Sequence, residues 1–356
     1  MDKSIHHSET IFKMLQKINL TQKFSEVYLS HIISIMIAIF SIGYHGKTVD
    51  FETHSEHHRT TIAHFLNKGK WDETVIENIL KKKVISIIYE FSHLKRKQDY
   101  GHQAIAVMLC CNGIVLNYAI IMYDKSVSKI ELASKISCEL PVAPVISYLL
   151  CDSWYVCDKI INCFIVKGFY TIGALKTNRI VYPKGVKCSI SRLAATLKES
   201  ALPLCTVTVK GHQYNIFRYE GNLNGIDNAV VLISFPVGQM GNPKALRAFI
   251  STDVSLSTEE ILNFYVERWE IEVFFRDCKT KLAFDKYQIR SSKGIRRFWI
   301  LTSLAYFIAC SCSESFSFSE GFYSLSDTVY KEYIRYIYEY GKSAKNIDSL
   351  FDMLSA

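Results

Sequence analysis

The segment YVERWEIEVFFRDCKTKL, residues 265–282, places four polar side chains at helical spacing among large apolar ones. At 100° per residue, these four form a stripe roughly 60° wide on one face of a helix. Its members are Tyr265, Arg268, Glu272 and Lys279. One carboxylate, two cations and a phenol on the same face could hold a metal ion and phosphate groups. The spacing also fits a plain amphipathic helix with an intrahelical Arg268–Glu272 ion pair.

Asp152 is the second candidate acid, because it ends the apolar run VISYLLCD (145–152). Burying an ionised carboxylate is costly unless it is paired, hydrogen-bonded or bound to a cation. A divalent metal shared by Asp152 and Glu272 would activate water or a 3′-hydroxyl for attack on a phosphodiester. Arg268 and Lys279 would then contact phosphates. Asp158, on the following helix, is expected to be solvated.

The elements that would bring these acids together follow a recognisable order. VISIIY (84–89) predicts a short buried strand, and residues 102–124 predict a hairpin around Asn112-Gly113, a strong turn-forming pair. A helix, a strand, a helix and a strand are then predicted over 128–140, 145–152, 154–169 and 170–177. This order predicts an α/β fold with a ribonuclease-H-like mixed sheet and flanking helices. The first and fourth strands of such a sheet lie side by side.

Five segments are predicted along the chain. They are a helical region that is a candidate for DNA binding (1–82), the first part of the core (83–178), a β-rich insertion (179–254), the C-terminal part of the core (255–312) and a helical tail (313–356). Residues 65–82 fit a helix-turn-helix for DNA and equally a small bundle that packs on the rest.

A group of histidines in the N-terminal region resembles a metal site only superficially. Glu56 is the one acidic residue among these histidines. We therefore expect exposed structural histidines at His54, His57, His58 and His64.

Bulk properties favour a soluble, cytoplasmic protein. The net charge of +8 is a mild bias toward polyanions such as nucleic acid. Eleven cysteines without a secretory start indicate reduced, mostly buried thiols. The most apolar runs, 31–43 and 298–310, are shorter than the ~20 residues that cross a bilayer. No GxxxxGK[ST] is present, which disfavours an ATPase or kinase, and no HxxR is placed as a tyrosine recombinase requires.

The ungapped pattern Tyr265-x2-Arg268-x3-Glu272-x6-Lys279 resembles the Y-R-E-K signature of IS4-type insertion-sequence transposases, in the DDE group. CDSWY (151–155), GALKTNR (173–179) and FDKYQIRSSKGIRRFW (284–299) are similar to the IS4/IS701-like branch as well. The resemblance implies metal-dependent cleavage and transfer of DNA strands with Mg²⁺ (or Mn²⁺). Asp152 and Glu272 would be the catalytic, metal-binding acids, and Tyr265, Arg268 and Lys279 would support the site and hold DNA.

The same resemblance implies the partners. They are double-stranded DNA, as terminal inverted repeats and as target, and a second copy of the chain on that DNA. The setting would be the nucleoid of a bacterial cytoplasm, with no membrane.

One departure from the family concerns the first catalytic Asp, which is expected at the end of the first core strand. Ile88 occupies that place here, Glu90 is the nearest acid, and Asp99 falls in what resembles a solvated turn. The expectation is therefore a transposase whose strand cutting is impaired. The alternatives are a catalytically dead DNA-binding remnant and a ribonuclease-H-type nuclease that acts on other nucleic acid.

Overall fold

The computed structural model describes residues 8–53, 57–90, 94–101, 104–123, 126–197, 203–289, 291–343 and 346–349. The chain divides into two compact units. The first comprises Met1–Ile87, Ile114–Ile121 and Val273–Ala356, and the second comprises Ile88–Gly113 and Met122–Glu272.

The first unit is mainly helical. Its N-terminal part contains α1 (Glu9–Lys17), α2 (Glu26–Phe40), α3 (Thr48–Thr53), α4 (Arg59–Asn67) and most of α5 (Thr74–Glu90). Its C-terminal part contains most of α10 (Glu270–Lys281), then α11 (Ser292–Ser311) and α12 (Phe318–Ser343). These bounds agree with the helices expected from the sequence in the N-terminal region, in the apolar run 298–310 and in the tail.

Two almost wholly buried helices form the core of this unit. Every residue of α2 from His31 to Phe40 is buried, and so is every residue of α11 from Arg297 to Cys310. A helix that is apolar all round must lie inside a bundle, and α11 contacts α2, α4 and α12. Gly321 of α12 permits the closest approach, because a Cβ at this position would lie only 1.7 Å from the carbonyl oxygen of Ala309.

A buried arginine ties the turn between α4 and α5 to α11. The guanidinium of Arg297 is 1% exposed and donates to a carboxylate oxygen of Glu73 at 2.9 Å. It also donates to the backbone carbonyls of Phe65 and Leu66 at the end of α4 and of Trp71 in the turn, and it lies 4.4 Å from the centroid of the Trp71 ring. The turn of the candidate helix-turn-helix therefore packs against Arg297 of α11, a contact that fits the small-bundle alternative. DNA binding by this region stays a prediction.

Ring stacking continues from this turn toward the histidine group. The rings of Trp71 and Phe65 are 4.8 Å apart, those of Phe65 and His31 4.9 Å, and those of His31 and His57 4.0 Å. Burial lowers the pKa of His31, which favours its neutral form. His58 is exposed and meets Glu52 at 3.4 Å. His64 is exposed too, whereas His54 and Glu56 lie outside the described residues.

The second unit is built on a mixed sheet. Its strands are β1 (Leu94–Gly101), β2 (Ala104–Cys111), β4 (Ser147–Cys151), β5 (Phe169–Leu175), β6 (Ile180–Val181), β7 (Cys188–Ser189), β8 (Cys205–Val209), β9 (His212–Leu223), β10 (Ile226–Pro236) and β11 (Arg247–Ser251). Its helices are α6 (Lys129–Glu139), α7 (Asp158–Ile165), α8 (Ile190–Thr196) and α9 (Thr258–Val266). The remaining strand, β3 (Ile114–Met122), belongs almost entirely to the first unit.

Strand order identifies the core of this sheet. Within the unit the order is β2-β1-β4-β5-β11-β10-β9-β6-β7, with β8 on β9. β1 pairs antiparallel with β2 and parallel with β4, and β4 pairs parallel with β5. This is the ribonuclease-H-like arrangement that the order of elements predicted. The β-rich insertion continues the same sheet, because β11 pairs antiparallel with β5.

The turn expected between β2 and β3 is present. Asn112 and Gly113 both have positive φ, 48° and 81°. Such a pair is typical of a two-residue hairpin turn.

The prediction of a strand over 84–89 is wrong. These residues lie inside α5, which runs without a break from Thr74 to Glu90, and Ile88 is buried in it. Apolar β-branched residues fit a buried helix as well as a buried strand, so a run of six does not distinguish the two. The first core strand is instead β1, and Asp99 therefore lies in a strand and not in a turn.

Replacing Arg297 tests the contact between α11 and the turn. Arg297→Ala should lower the free energy of unfolding by about 3–5 kcal/mol, because the buried Glu73 carboxylate would keep only its contact with the largely exposed Arg296. Arg296 is the matched control, since it binds the same carboxylate at 2.6 Å with its side chain 54% exposed. Arg296→Ala should cost at most about 1 kcal/mol. Urea unfolding measures both variants, and equal losses would contradict this account.

Candidate active site

Asp152 follows the last residue of β4, where the chain leaves the sheet. β4 is buried along its whole length, and the Asp152 carboxylate accepts a hydrogen bond from the backbone N–H of Trp154 at 2.8 Å. The chain then turns into α7, which begins at Asp158. Asp158 itself is exposed at the start of that helix, as expected. The local fold thus presents Asp152 at the carboxyl edge of the parallel strands.

Gly173 allows the chain to turn closely over the neighbouring strand. It pairs with Cys151 across β4 and β5. A Cβ on Gly173 would lie 2.6 Å from Val156 and 3.1 Å from the carbonyl oxygen of Cys151. Any larger residue would therefore push away the segment that carries Asp152.

The electrostatic environment of Asp152 opposes its negative charge. Burial raises the pKa of this carboxyl above its usual value, and this effect prevails over the N–H groups of Trp154 and Tyr155 and the charges of Lys129 and Lys176, which lower it. Neither lysine was identified from the sequence. Lys176 follows the end of β5, and because parallel strands end at the same edge of a sheet, its position beside Asp152 was available from the predicted topology.

The segment with the polar stripe is not one uninterrupted helix. α9 ends at Val266, a 3₁₀ turn spans Glu267–Trp269, and α10 begins at Glu270. The 3₁₀ turn lies against β1 and β4. The expected single stripe is therefore divided, with Tyr265 near the end of α9, Arg268 in the turn and Glu272 in the first turn of α10.

Aromatic packing anchors α9 on the sheet. The ring of Phe264 stacks 4.8 Å from that of Tyr148 in β4, and the ring of Tyr265 lies 4.7 Å from that of Phe249 in β11. Both α9 rings pack against the apolar cluster of this unit. Tyr265 is therefore held between the sheet and the 3₁₀ turn.

Arg268 and Glu272 form the intrahelical ion pair that their spacing predicted. An Nη of Arg268 donates to an Oε of Glu272 at 2.8 Å, and the two side chains are 16% and 37% exposed. The guanidinium carbon also lies 5.7 Å from the centroid of the Tyr265 ring. The pair is compatible both with an ordinary helix surface and with a site.

Tyr265 connects the two acids electrostatically. Burial is the main cause that raises the pKa of its phenol to about 12, and the charges of Asp152 and Glu272 add to this shift. The two acids are distant in sequence, and both contribute to the electrostatic environment of this phenol. Lys279 lies seven residues beyond Glu272 on α10, in the part of the chain that belongs to the first unit.

The backbone register adds Asp99 to this region. Lys97 of β1 is level with Leu150 of β4 in the parallel pair. Asp99 lies two residues beyond Lys97 in β1, and Asp152 lies two residues beyond Leu150, just after the end of β4. Glu90, the acid first considered for this role, is the last residue of α5.

A family model described as Transposase DDE domain matches residues 55–308 of this sequence, well over half of the chain. The chain belongs to the DDE transposase family. No curated protein matches it closely enough to be named as a relative. Within the described parts of this transposase, no helix is both long and apolar enough to span a membrane.

Divalent metal ions serve the chemistry of DDE transposases. Among the described residues, no group of three or more His, Cys, Asp and Glu side chains is arranged to hold such an ion. Asp152 and Glu272 therefore stay a prediction as metal-binding acids. Their oxygens suit a hard cation, but two carboxylates leave most of its coordination positions to water and phosphate.

Replacing Asp152 tests the cost of its buried charge. Because the folded-state pKa of Asp152 is raised, the native state holds the proton more tightly than the unfolded chain does. The contribution of the Asp152 carboxyl to the free energy of unfolding therefore increases as the pH falls through the raised pKa toward the ordinary carboxyl range. At pH 7 without divalent metal, Asp152→Asn should melt at a higher temperature than the wild type, and this difference should shrink at low pH.

The matched control is Asp158→Asn, which removes an exposed acid from the first turn of α7 and should lower the melting temperature slightly. Thermal unfolding at several pH values measures both variants. A wild type more stable than Asp152→Asn at neutral pH would contradict the electrostatic account.

Proposed function

We propose that this protein is an insertion-sequence transposase of the IS4 type that binds transposon-end DNA and carries out metal-dependent strand cleavage and transfer, with impaired cutting. The observation that carries the proposal is that the 3₁₀ turn just before α10 packs against β1 and β4, and Asp152 follows the last residue of β4. Two acids 120 residues apart thus belong to elements that meet on a ribonuclease-H-like sheet. The Y-R-E-K pattern supports the IS4 assignment.

Asp152 and Glu272 would hold the metal, Mg²⁺ or Mn²⁺. A divalent cation would offset the unfavourable burial of the Asp152 charge, and it would supply activation of water or a 3′-hydroxyl for attack on a phosphodiester. Glu272 already accepts a hydrogen bond from Arg268, which fixes one of its oxygens.

Cations around these acids would bind the DNA backbone. Lys129 and Lys176 lower the pKa of Asp152, so both lie near it. Arg268 offers a planar guanidinium that suits phosphate. Lys279 would extend this surface along α10. Two copies of the chain on paired terminal repeats would suit an enzyme that joins two DNA ends.

Asp99 is our candidate for the missing first acid. It lies in β1, which pairs parallel with the strand that Asp152 follows. Ile88 cannot serve as a strand-end residue, because it lies in a helix. An acid within β1 would replace the first catalytic Asp that the resemblance leads one to expect at the end of this strand, and we attribute impaired cutting to this change of position.

A catalytically inactive DNA-binding remnant is the second candidate function. It is favoured by the lack of a cluster of three metal-binding side chains in the described parts of the chain. A ribonuclease-H-type nuclease for other nucleic acid has only the shared sheet to support it.

Strand cleavage distinguishes these functions. We expect weak, Mn²⁺-dependent nicking of labelled element-end DNA, because one acid of the site is displaced. Asp152→Asn, Glu272→Gln and Asp99→Asn should each abolish nicking, whereas Glu90→Gln should not change it. Binding without any nicking would support the inactive remnant. Nicking that persists in Asp99→Asn would exclude Asp99, and cutting of RNA–DNA hybrids in preference to duplex DNA would support the nuclease.

DNA affinity at several salt concentrations tests the cations separately. Arg268→Ala and Lys279→Ala should each weaken binding and reduce the slope of log K against log salt by about one. Arg276→Ala is the matched control, since it removes the same charge from an exposed position on α10. Its slope should stay that of the wild type, and three equal losses would indicate only an effect of net charge.

A further inference from the structure

The four tryptophans of this chain fall into two classes. Trp71 and Trp299 are buried, whereas Trp154 and Trp269 are exposed. The exposed pair adjoins the candidate site in sequence, with Trp154 two residues after Asp152 and Trp269 three residues before Glu272. Trp269 lies on the 3₁₀ turn that contains Arg268, whereas Trp154 has a lysine ammonium beside its ring.

Trp154 is held in place but open to solvent. Its backbone N–H donates to the Asp152 carboxylate at 2.8 Å, which fixes the start of the side chain. The side chain is 59% exposed, and the ammonium of Lys176 lies 4.7 Å from the centroid of its ring. Single exposed apolar residues are ordinary on protein surfaces. Trp154 differs from them because it lies between a candidate catalytic acid and a cation.

An indole ring beside an ammonium group suits one kind of ligand in particular. The ring offers a flat π surface on which a nucleobase can stack, and the ammonium can meet the phosphate of the same nucleotide. Bases inside a duplex have both faces covered by their neighbours, so only an unpaired or terminal nucleotide can use the ring fully. A protein partner would be expected to need a larger apolar patch around the ring.

We propose that Trp154 and Lys176 form a stacking platform for an unpaired nucleotide of the DNA substrate, next to the acids that act on its backbone. The platform rests on the proposed function, because it requires that this site receives DNA. Trp154 is a positioning residue in this proposal. Its ring would hold a nucleotide beside Asp152 without taking part in the bond change.

Two labelled DNAs test the platform by fluorescence anisotropy without metal. One is a short blunt duplex, and the other is the same duplex with a short single-stranded tail. The wild type should bind the tailed DNA more tightly. Trp154→Ala should lose about tenfold in affinity for the tailed DNA, within the range for loss of one base–aromatic stack, and should bind the blunt duplex almost as the wild type does. Trp154→Phe should recover part of the loss.

The chain offers a matched control in the pair Tyr338 and Lys342. Tyr338 is 63% exposed, and the Lys342 ammonium lies 4.5 Å from the centroid of its ring, but both belong to α12 in the first unit. Tyr338→Ala should leave the affinity for both DNAs unchanged. Unaltered melting temperatures would show that each variant folds.

Each other outcome overturns one of the two proposals. A wild type that binds neither DNA would overturn the proposed function together with the platform. A wild type that binds both DNAs, with the preference for the tail unchanged in Trp154→Ala, would overturn the platform alone. Equal losses for the two DNAs in Trp154→Ala would place the ring against duplex DNA, which also contradicts stacking on an unpaired nucleotide.

Discussion

Parallel pairing of β4 with β1 on one side and with β5 on the other is the constraint on which the candidate site depends. Parallel strands end at a common edge, so residues that follow them are brought together regardless of their separation in sequence. Asp152 and Lys176 reach this edge from the ends of β4 and β5. Asp99 lies in β1, the parallel neighbour of β4. The close pairing of Cys151 with Gly173 keeps the edge compact.

The opposing electrostatic effects at this edge are typical of a functional site. Burial works against the charge of Asp152, and the neighbouring lysines offset this only in part. A protein selected only for stability would have no reason to keep an acid in such an environment. Arg268 and Glu272, by contrast, each provide the opposite charge for the other within one helix turn. The site thus combines one acid that lacks sufficient counter-charge with another that already has a partner.

In the first unit, the largest buried polar side chain contributes to packing. Arg297 satisfies its guanidinium with Glu73, with turn carbonyls and with the Trp71 ring. Removing either partner would leave a buried charge, so the contact specifies how the turn meets α11 more than it adds stability. The basic residues of the GIRRFW segment are therefore divided, with Arg297 inside the bundle and Arg296 at its surface.

The sequence by itself determined the ribonuclease-H-like order of elements, most helix and strand positions, the Asn112-Gly113 turn and the Arg268–Glu272 pair, because each depends on local periodicity or short spacing. It failed at 84–89, where a short, mostly apolar run fits either a helix or a strand, and thus it misplaced the first core strand. Only the tertiary structure divided the polar stripe by a 3₁₀ turn, added Lys129 to the electrostatic environment of Asp152 and placed Asp99 in the strand beside β4. Those relations depend on which strands pair and in which register, and no local pattern encodes contacts between residues so far apart along the chain.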